Sequence, residues 1–419
     1  MKAGPSLLYV TLAGLTAGAC SDVARSASAS VVDSAGVQVV TNGVGSIEAA
    51  ETWSFPEAPA VAIGSGVDPE VPLVRVASVV PLEEGRVAVV MREHVQVFNA
   101  DGSLAATLGR QGQGPGEFSA PASVVPIGGD SLAVWDQNRR RVSVFTGDGR
   151  FVRELDLSEL VPLSPMAAPS LDVLTAYTYL LPSASGSLIL FGVGMTGPGT
   201  GVRRIEVPTY RISTTGELLA TMGPFPGEET FNFGAGQGGV FPYPFSANTV
   251  GAAAGEALAV GTAEATEFRV YDAAGRLERI VRWPDHDRTV AGPFLTDWTD
   301  FVDDWLAKRP AQQASAIREM MERIPRAERF PAYDGLISSD DGDIWVAEYA
   351  GEYTSLYPPR NLGPPARRWL VFDREGLLIA TVQTPEGFQP HAVRNGLVWG
   401  VHTDELNVES VQAYRIQRP

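Results

Sequence analysis

The chain has 419 residues, 44% hydrophobic and 19% charged, with 44 glycines, 31 prolines and a formal net charge of -17. That composition is globular and turn-rich, and its acidity excludes nucleic acid as a partner. The polyanion term that dominates such binding is repulsive here, and no basic block exceeds Arg139, Arg140 and Arg141.

At the N-terminus, Lys2 precedes the apolar run LLYVTLAGLTAGA, which ends at Cys20, the only cysteine. The run is too short for a membrane span of about 20 residues and suits a signal peptide over 1–19. With Gly18 and Ala19 before the cysteine it resembles a bacterial lipobox, although Ala17 stands where Leu is usual. The expectation is cleavage before Cys20, lipidation of that cysteine and a Ser/Ala-rich tether over 20–30. The mature chain would then be exported to the periplasm or outer membrane, touching the bilayer only through its anchor. One cysteine leaves no internal disulfide, so the fold must rest on burial and strand pairing.

From residue 52 the chain reads as short strands. TWSFPEAPAVAIG (52–64) is a lone one, and AIGSGVDPEVPLVRVASVVPL (62–82) then matches TLGRQGQGPGEFSAPASVVPI (107–127), with Gly64 over Gly109 and Pro81 over Pro126. The glycine-rich GRQGQGPGEF (109–118) inside that repeat is not a phosphate loop. Glu117 and Phe118 stand where a P-loop needs Lys and Ser or Thr, the glycine spacing misses the dinucleotide pattern, and no helix follows. A second landmark recurs more often: Phe98, Phe145, Ile212, Tyr271 and Phe372 each lie four residues before Gly102, Gly149, Gly216, Gly275 and Gly376. Each context is strand, turn, strand, with the glycine supplying positive φ.

Short-strand repeats spaced by about 40–50 residues indicate a β-propeller, each repeat being one four-stranded blade. GRQGQGPGEF is then a blade-to-blade crossover. The motif GPGEF followed by SLAVWDQNRRRVSVFTGDGRFV resembles NHL-type six-bladed β-propellers, sharply over 74–157, more weakly to 285, and again over 331–417. The last stretch is similar to the terminal blades of bacterial envelope propellers.

The fold expected is all-β: a single six-bladed β-propeller domain over 31–419, with inner strands beginning near Val74, Ala122, Ala176, Pro244, Tyr333 and Pro390. The last blade ends at VQAYRI, the counterpart of VQVFNA, before an outermost strand is made, so the N-terminal strand at 52–64 is expected to complete it and remove a free edge. Between blades four and five, residues 294–325 read as a helical insert. Phe294, Trp298, Phe301, Val302 and Trp305 keep helical spacing, as do Ile317, Met320, Met321 and Ile324 after a break at Pro310. Its apolar stripe is read as a burial face, or as a lid over a channel mouth.

Chemistry is thinly marked. The four histidines, His94, His286, His391 and His402, do not assemble into the three-His metal site that a likeness to amidoglycolate-lyase propellers would imply. Asp136, Asp334 and Glu348 are the candidates for calcium or another divalent cation, as in lactonase-like propellers; no cofactor is otherwise expected. In WDQNRRRV, Asp136 and Asn138 are expected to bond turn amides, with Arg140 or Arg141 pairing with a neighbouring blade. No G-x-S-x-G elbow occurs.

Around blade five the sequence gathers Trp345, Tyr349, Tyr353 and Tyr357 with Arg360, Arg367 and Arg368, an aromatic and basic mixture unlike the acidic whole. Such residues suit a binding hot spot, or else pack the excursion 350–368 onto the blade. The function expected is that of a monomeric, non-catalytic envelope lipoprotein binding a peptide, glycan or protein on the propeller face. The alternative is a metal-dependent hydrolase or lyase in the channel, and the fold alone does not choose between them.

Overall fold

In the computed structural model, which describes residues 29–64, 72–161, 174–196, 200–234, 240–350 and 364–419, the five glycine landmarks close one recurring turn. In each, the glycine amide donates at 2.9–3.0 Å to the carbonyl three residues earlier, Asn99, Thr146, Ser213, Asp272 or Asp373. The glycines hold φ between +79° and +90°, a region that side chains with a Cβ disfavour. Beside each turn the ladder slips by a bulge at Phe98, Phe145, Ile212, Tyr271 or Phe372. This is the three-residue hairpin with a glycine bulge, and it joins the third and fourth strands of five blades.

Six such sheets form the ring of a six-bladed β-propeller. Their first strands, Ser78–Pro81, Pro121–Pro126, Leu174–Pro182, Val250–Ala254, Tyr333–Ser338 and Phe388–Arg394, contact one another in that order, and the last contacts the first. Ala122, Ala176, Tyr333 and Pro390 mark the starts of their strands to within two residues. Val74 and Pro244 precede theirs; blade three spends extra chain on a long fourth strand, Leu218–Asn232, and a fifth, Val240–Pro242, which delays the start of blade four. The cores lie between blades. Phe268 and Trp283 meet Tyr333 and Phe372 between four and five, and Trp345 and Trp369 meet Phe388 and Tyr414 between five and six.

The N-terminal segment does more than close the ring. Strands β1 (Ala29–Ser34) and β2 (Val37–Asn42) form a hairpin whose second strand pairs in parallel with Leu277–Arg282, extending blade four to six strands. After a short helix α1 (Ser46–Ala49), β3 (Glu51–Trp53) adds in parallel to Leu378–Gln383 of blade five. Then β4 (Val61–Gly64) pairs antiparallel with Glu409–Arg415 and supplies the fourth strand of blade six. The expected strand over 52–64 is thus divided between two blades, with only its second half closing the ring. The expected tether over 20–30 likewise gives up Ala29 and Ser30 to β1.

Asn42 fastens this strap. It is 3% exposed, and its side-chain amide donates to the carbonyls of Arg282 (3.1 Å) and Gly376 (3.0 Å) while its oxygen accepts the amide of Leu378 (2.9 Å). One side chain therefore satisfies backbone groups of blades four and five at once. Asn42→Leu strands all three in a buried site and should cost about 3 kcal/mol; a denaturant midpoint unchanged from the parent would refute this role.

The insert is helical as expected: α2 (Pro293–Ala307) and α3 (Ala311–Arg323), broken at Pro310. Val302, Leu306 and Ile324 are its buried anchors. No helix among the described residues is long and apolar enough to cross a membrane.

Candidate binding face

In an antiparallel four-stranded blade the start of the first strand, the second-to-third connection and the end of the fourth strand share one end. The insert, the segment after Asn232, the crossover 109–118, the turn at 136–141 and both ends of the 349–367 connection therefore emerge on the same face of the ring.

On that face the glycine-rich crossover does cradle an anion, but the anion is its own. Glu117 accepts the amides of Gln113 (2.9 Å) and Gly114 (2.8 Å) and the Arg110 guanidinium (2.9 Å). These bonds, led by the Gly114 amide, hold the carboxyl below its ordinary pKa. Arg139 clamps the loop through the carbonyls of Gly112 and Gln113, and Arg141 through those of Gly114 and Glu117. Arg141 also pairs with Glu154 at 2.7 Å, within its own blade. The expected contact of Arg140 or Arg141 with a neighbouring blade is thus replaced by fastening of the crossover and of the local turn, since Arg140 reaches the carbonyls of Ser158 and Val161.

The residues singled out around blade five divide. Trp345 is 2% exposed, packed against Trp53 and Trp369, and so belongs to the core rather than the surface. Arg367 is buried and bonds Asp334 at 2.6 Å, while Arg368 pairs with Glu348. Tyr349 stacks on Phe330 at 5.6 Å. Tyr353, Tyr357, Arg360 and Cys20 lie outside the described residues.

The three carboxylates considered for a cation are occupied separately. Asp136, fully buried, accepts the amides of Ser119, Ala120 and Arg139, and the other two hold the arginines just named. Among the described residues no group of three or more His, Cys, Asp or Glu converges to hold a metal.

Instead, the aromatic and basic surface lies mainly on the insert. Phe245 meets Trp298 (5.4 Å) and Phe330 (5.6 Å) edge-on, which joins the entry to blade four, the insert and Tyr349 of blade five. Arginines lie over aromatic faces: Arg326 over Trp298 at 5.7 Å, Arg323 over Phe233 at 4.5 Å and Arg309 over Trp305 at 3.6 Å. Trp298, Phe330 and Tyr349 are half-buried, and Arg323 and Arg326 are exposed.

Beneath them is an ionic floor. Arg288, 4% exposed, binds Asp285 and the carbonyls of Phe330 (2.6 Å) and Glu264 (3.0 Å). Arg204 binds the carbonyls of Gly227 (2.8 Å) and Thr262 (3.1 Å) and pairs with Glu264. Burial raises the pKa of Glu229 against the pull of Arg204, and raises that of Glu228 with nothing opposing it. Phe245, Phe330 and Arg326 escape sequence reading because they sit in segments without periodicity.

His391 lines the ring itself, as the extra residue of a bulge between Pro390 and Ala392 on the first strand of blade six. It is half-buried, but the surrounding strands desolvate it enough to lower its pKa from 6.5 to about 4, with no charged neighbour contributing. The unfolded chain takes up this proton near 6.5 while the native ring stays neutral until about 4. Stability is therefore full above 6.5 and falls as pH drops through this window, by on the order of 2–3 kcal/mol. Burial raises the pKa of Asp343 and Asp373, so these groups act in the opposite direction. The check is the difference between wild type and His391→Gln in urea denaturation at neutral and mildly acid pH. Parallel pH slopes would exclude the linkage.

No family model matches the chain. Among solved structures it is similar to an exported protein of Bacteroides fragilis, at 10% identity and TM-score 0.46, over 87% of this chain and 99% of that one. A member of the DUF4221 family from Bacteroides vulgatus matches at 11% identity and TM-score 0.45, over 84% and 95%. Regucalcin, a calcium-binding protein of Agrobacterium tumefaciens, matches at 12% identity and TM-score 0.41, over 87% and 97%. At these identities the likeness is one of fold alone.

Proposed function

We propose that the chain is an exported, lipid-anchored, non-catalytic envelope protein of NHL-like type that binds a peptide, glycan or protein partner on the face carrying the insert. The observation behind this reading is the surface of Trp298, Phe330 and Tyr349 with Arg323 and Arg326, set on the networks of the buried Arg288 and the half-buried Arg204. Aromatics and arginines on a rigid base offer large contact area at low ordering cost, which is what binding hot spots use. The anchor is Cys20, after a signal peptide over 1–19.

The test is capture of an envelope protein, peptidoglycan fragment or glycan by wild type and by Trp298→Ala/Arg326→Ala. The double variant should lose the captured ligand while its melting temperature stays within a few degrees of the parent. Retained capture would move the site elsewhere. Mass spectrometry of the mature chain decides the anchor, and an unmodified Cys20 or another cleavage point would remove it. Hydrolase or lyase turnover that depends on an added divalent cation would favour the catalytic alternative.

A further inference from the structure

The outermost strand of blade four is unlike a protected edge. In the sheet order β1 lies farthest from the ring axis, with β2 on one side and, among the described residues, no strand on the other. Five of its six residues are exposed, and Val31 and Val32, which point to opposite faces, are each 58% exposed. Its pairing with β2 runs through all six positions without a bulge. Edge strands that avoid pairing carry Lys, Pro or a bulge; the sequence ASVVDS has none of these. Asp33 is the only charge in the whole hairpin β1–β2, although the chain carries -17. A second molecule can therefore approach this strip without bringing many like charges together.

We infer that β1 is a self-association surface, pairing antiparallel with β1 of a second copy so that two six-stranded blades become one continuous sheet. A two-fold ladder must pair residues whose backbone groups point the same way, so its axis passes through a residue pair, at Val31 or at Val32. Centring on Val32 puts Asp33 opposite an apolar Val31. Centring on Val31 sets Val31 against its own copy, Ser30 against Val32, and Asp33 against the small Ala29. Both registers keep a β-branched pair at the centre and bring no carboxylates together; the second sets Asp33 against the small Ala29 instead of burying it against the branched Val31, and it is the one assigned.

The register makes the test specific. Directly opposed Cβ atoms in such a ladder are about 4.5–5.5 Å apart, close enough for a disulfide after small adjustment. In the full chain extracted in mild detergent, Val31→Cys should oxidise to a covalent dimer, while Val32→Cys, whose counterpart is two positions removed, and wild type should not. Val31→Lys places like charges face to face and should weaken the dimer seen by light scattering at least about tenfold, with an unchanged melting temperature. A wild-type chain that stays monomeric at every concentration overturns the inference, whether the edge is left open or covered by the chain's own first residues. Equal cross-linking of Val31→Cys and Val32→Cys overturns it as well, and so does a dimer that Val31→Lys leaves intact.

Discussion

Removal of residues 52–64 should abolish the cooperative unfolding transition of the propeller, not merely fray one end. The segment carries Trp53 and Ile63, 4% and 3% exposed, and Phe55, which sits edge-on to Phe388 and Tyr414 at 5.8 and 5.3 Å. Trp53 packs on Trp345 between blades five and six, under Arg418, whose guanidinium lies 4.4 Å from its ring. Ile63 joins Val411, Trp399 and Val79 in the core shared by blades six and one. Burying Trp53 and Ile63 stabilises by about 1.5–3 kcal/mol each, the half-buried Phe55 adds a smaller share, and the ladder bonds of β3 and β4 add roughly 0.5–1.5 kcal/mol apiece. The total approaches the whole stability of an ordinary domain, about 5–15 kcal/mol. Calorimetry of the truncated chain is the measurement; a transition near the parental temperature would show that the ring does not depend on this strap.

Trp345→Ala should cost about 3–5 kcal/mol, the range for truncating a large buried aromatic. Its indole contacts Trp53 and Trp369 in the blade five to six core, and almost none of it meets solvent. Arg368→Ala is the contrast. That side chain is 47% exposed, so although Glu348 is 15% exposed, solvent screens the pair from the arginine side and its loss should cost about 1 kcal/mol. Arg367→Ala falls between, at about 2 kcal/mol, because the guanidinium lost is itself only 7% exposed and makes a charge-assisted hydrogen bond to Asp334. Guanidinium denaturation of the three variants separates these cases. A Trp345→Ala protein as stable as the parent would return that residue to the list of surface binding groups.

These contrasts show where sequence runs out. Gly102, Gly149, Gly216, Gly275 and Gly376 were legible because a tight turn with positive φ leaves one residue type at one spacing, and all five close the turn expected of them. Closure of the last blade was legible as a missing fourth strand. The additions of β2 and β3 to the outer edges of blades four and five were not, because a short parallel strand borrowed from far away has no counterpart in the repeat. Asn42 reads in isolation as a turn residue; only the meeting of Arg282, Gly376 and Leu378 around it makes it a buried rivet. An aromatic and basic cluster in one stretch of sequence could not reveal that Arg367 and Arg368 face carboxylates, since Asp334 and Glu348 come from other strands. The equivalent surface on the insert is assembled from residues scattered between Phe233 and Tyr349.

The strap also sets an order of events in time. β2 pairs with residues near 280, β3 with residues near 381 and β4 with residues near 411, so β2 finds its partner only after some two-thirds of the 419 residues exist, and β3 and β4 only when almost all of them do. Closing loops of such length is slow, and contacts so distant in sequence belong to the late side of the folding barrier. Until those partners are made, the valines of β2 and then the apolar Trp53 and Ile63 have nothing to cover them, which is the condition in which nascent chains aggregate. A protein built this way remains open to wrong association until its C-terminal blade has been made.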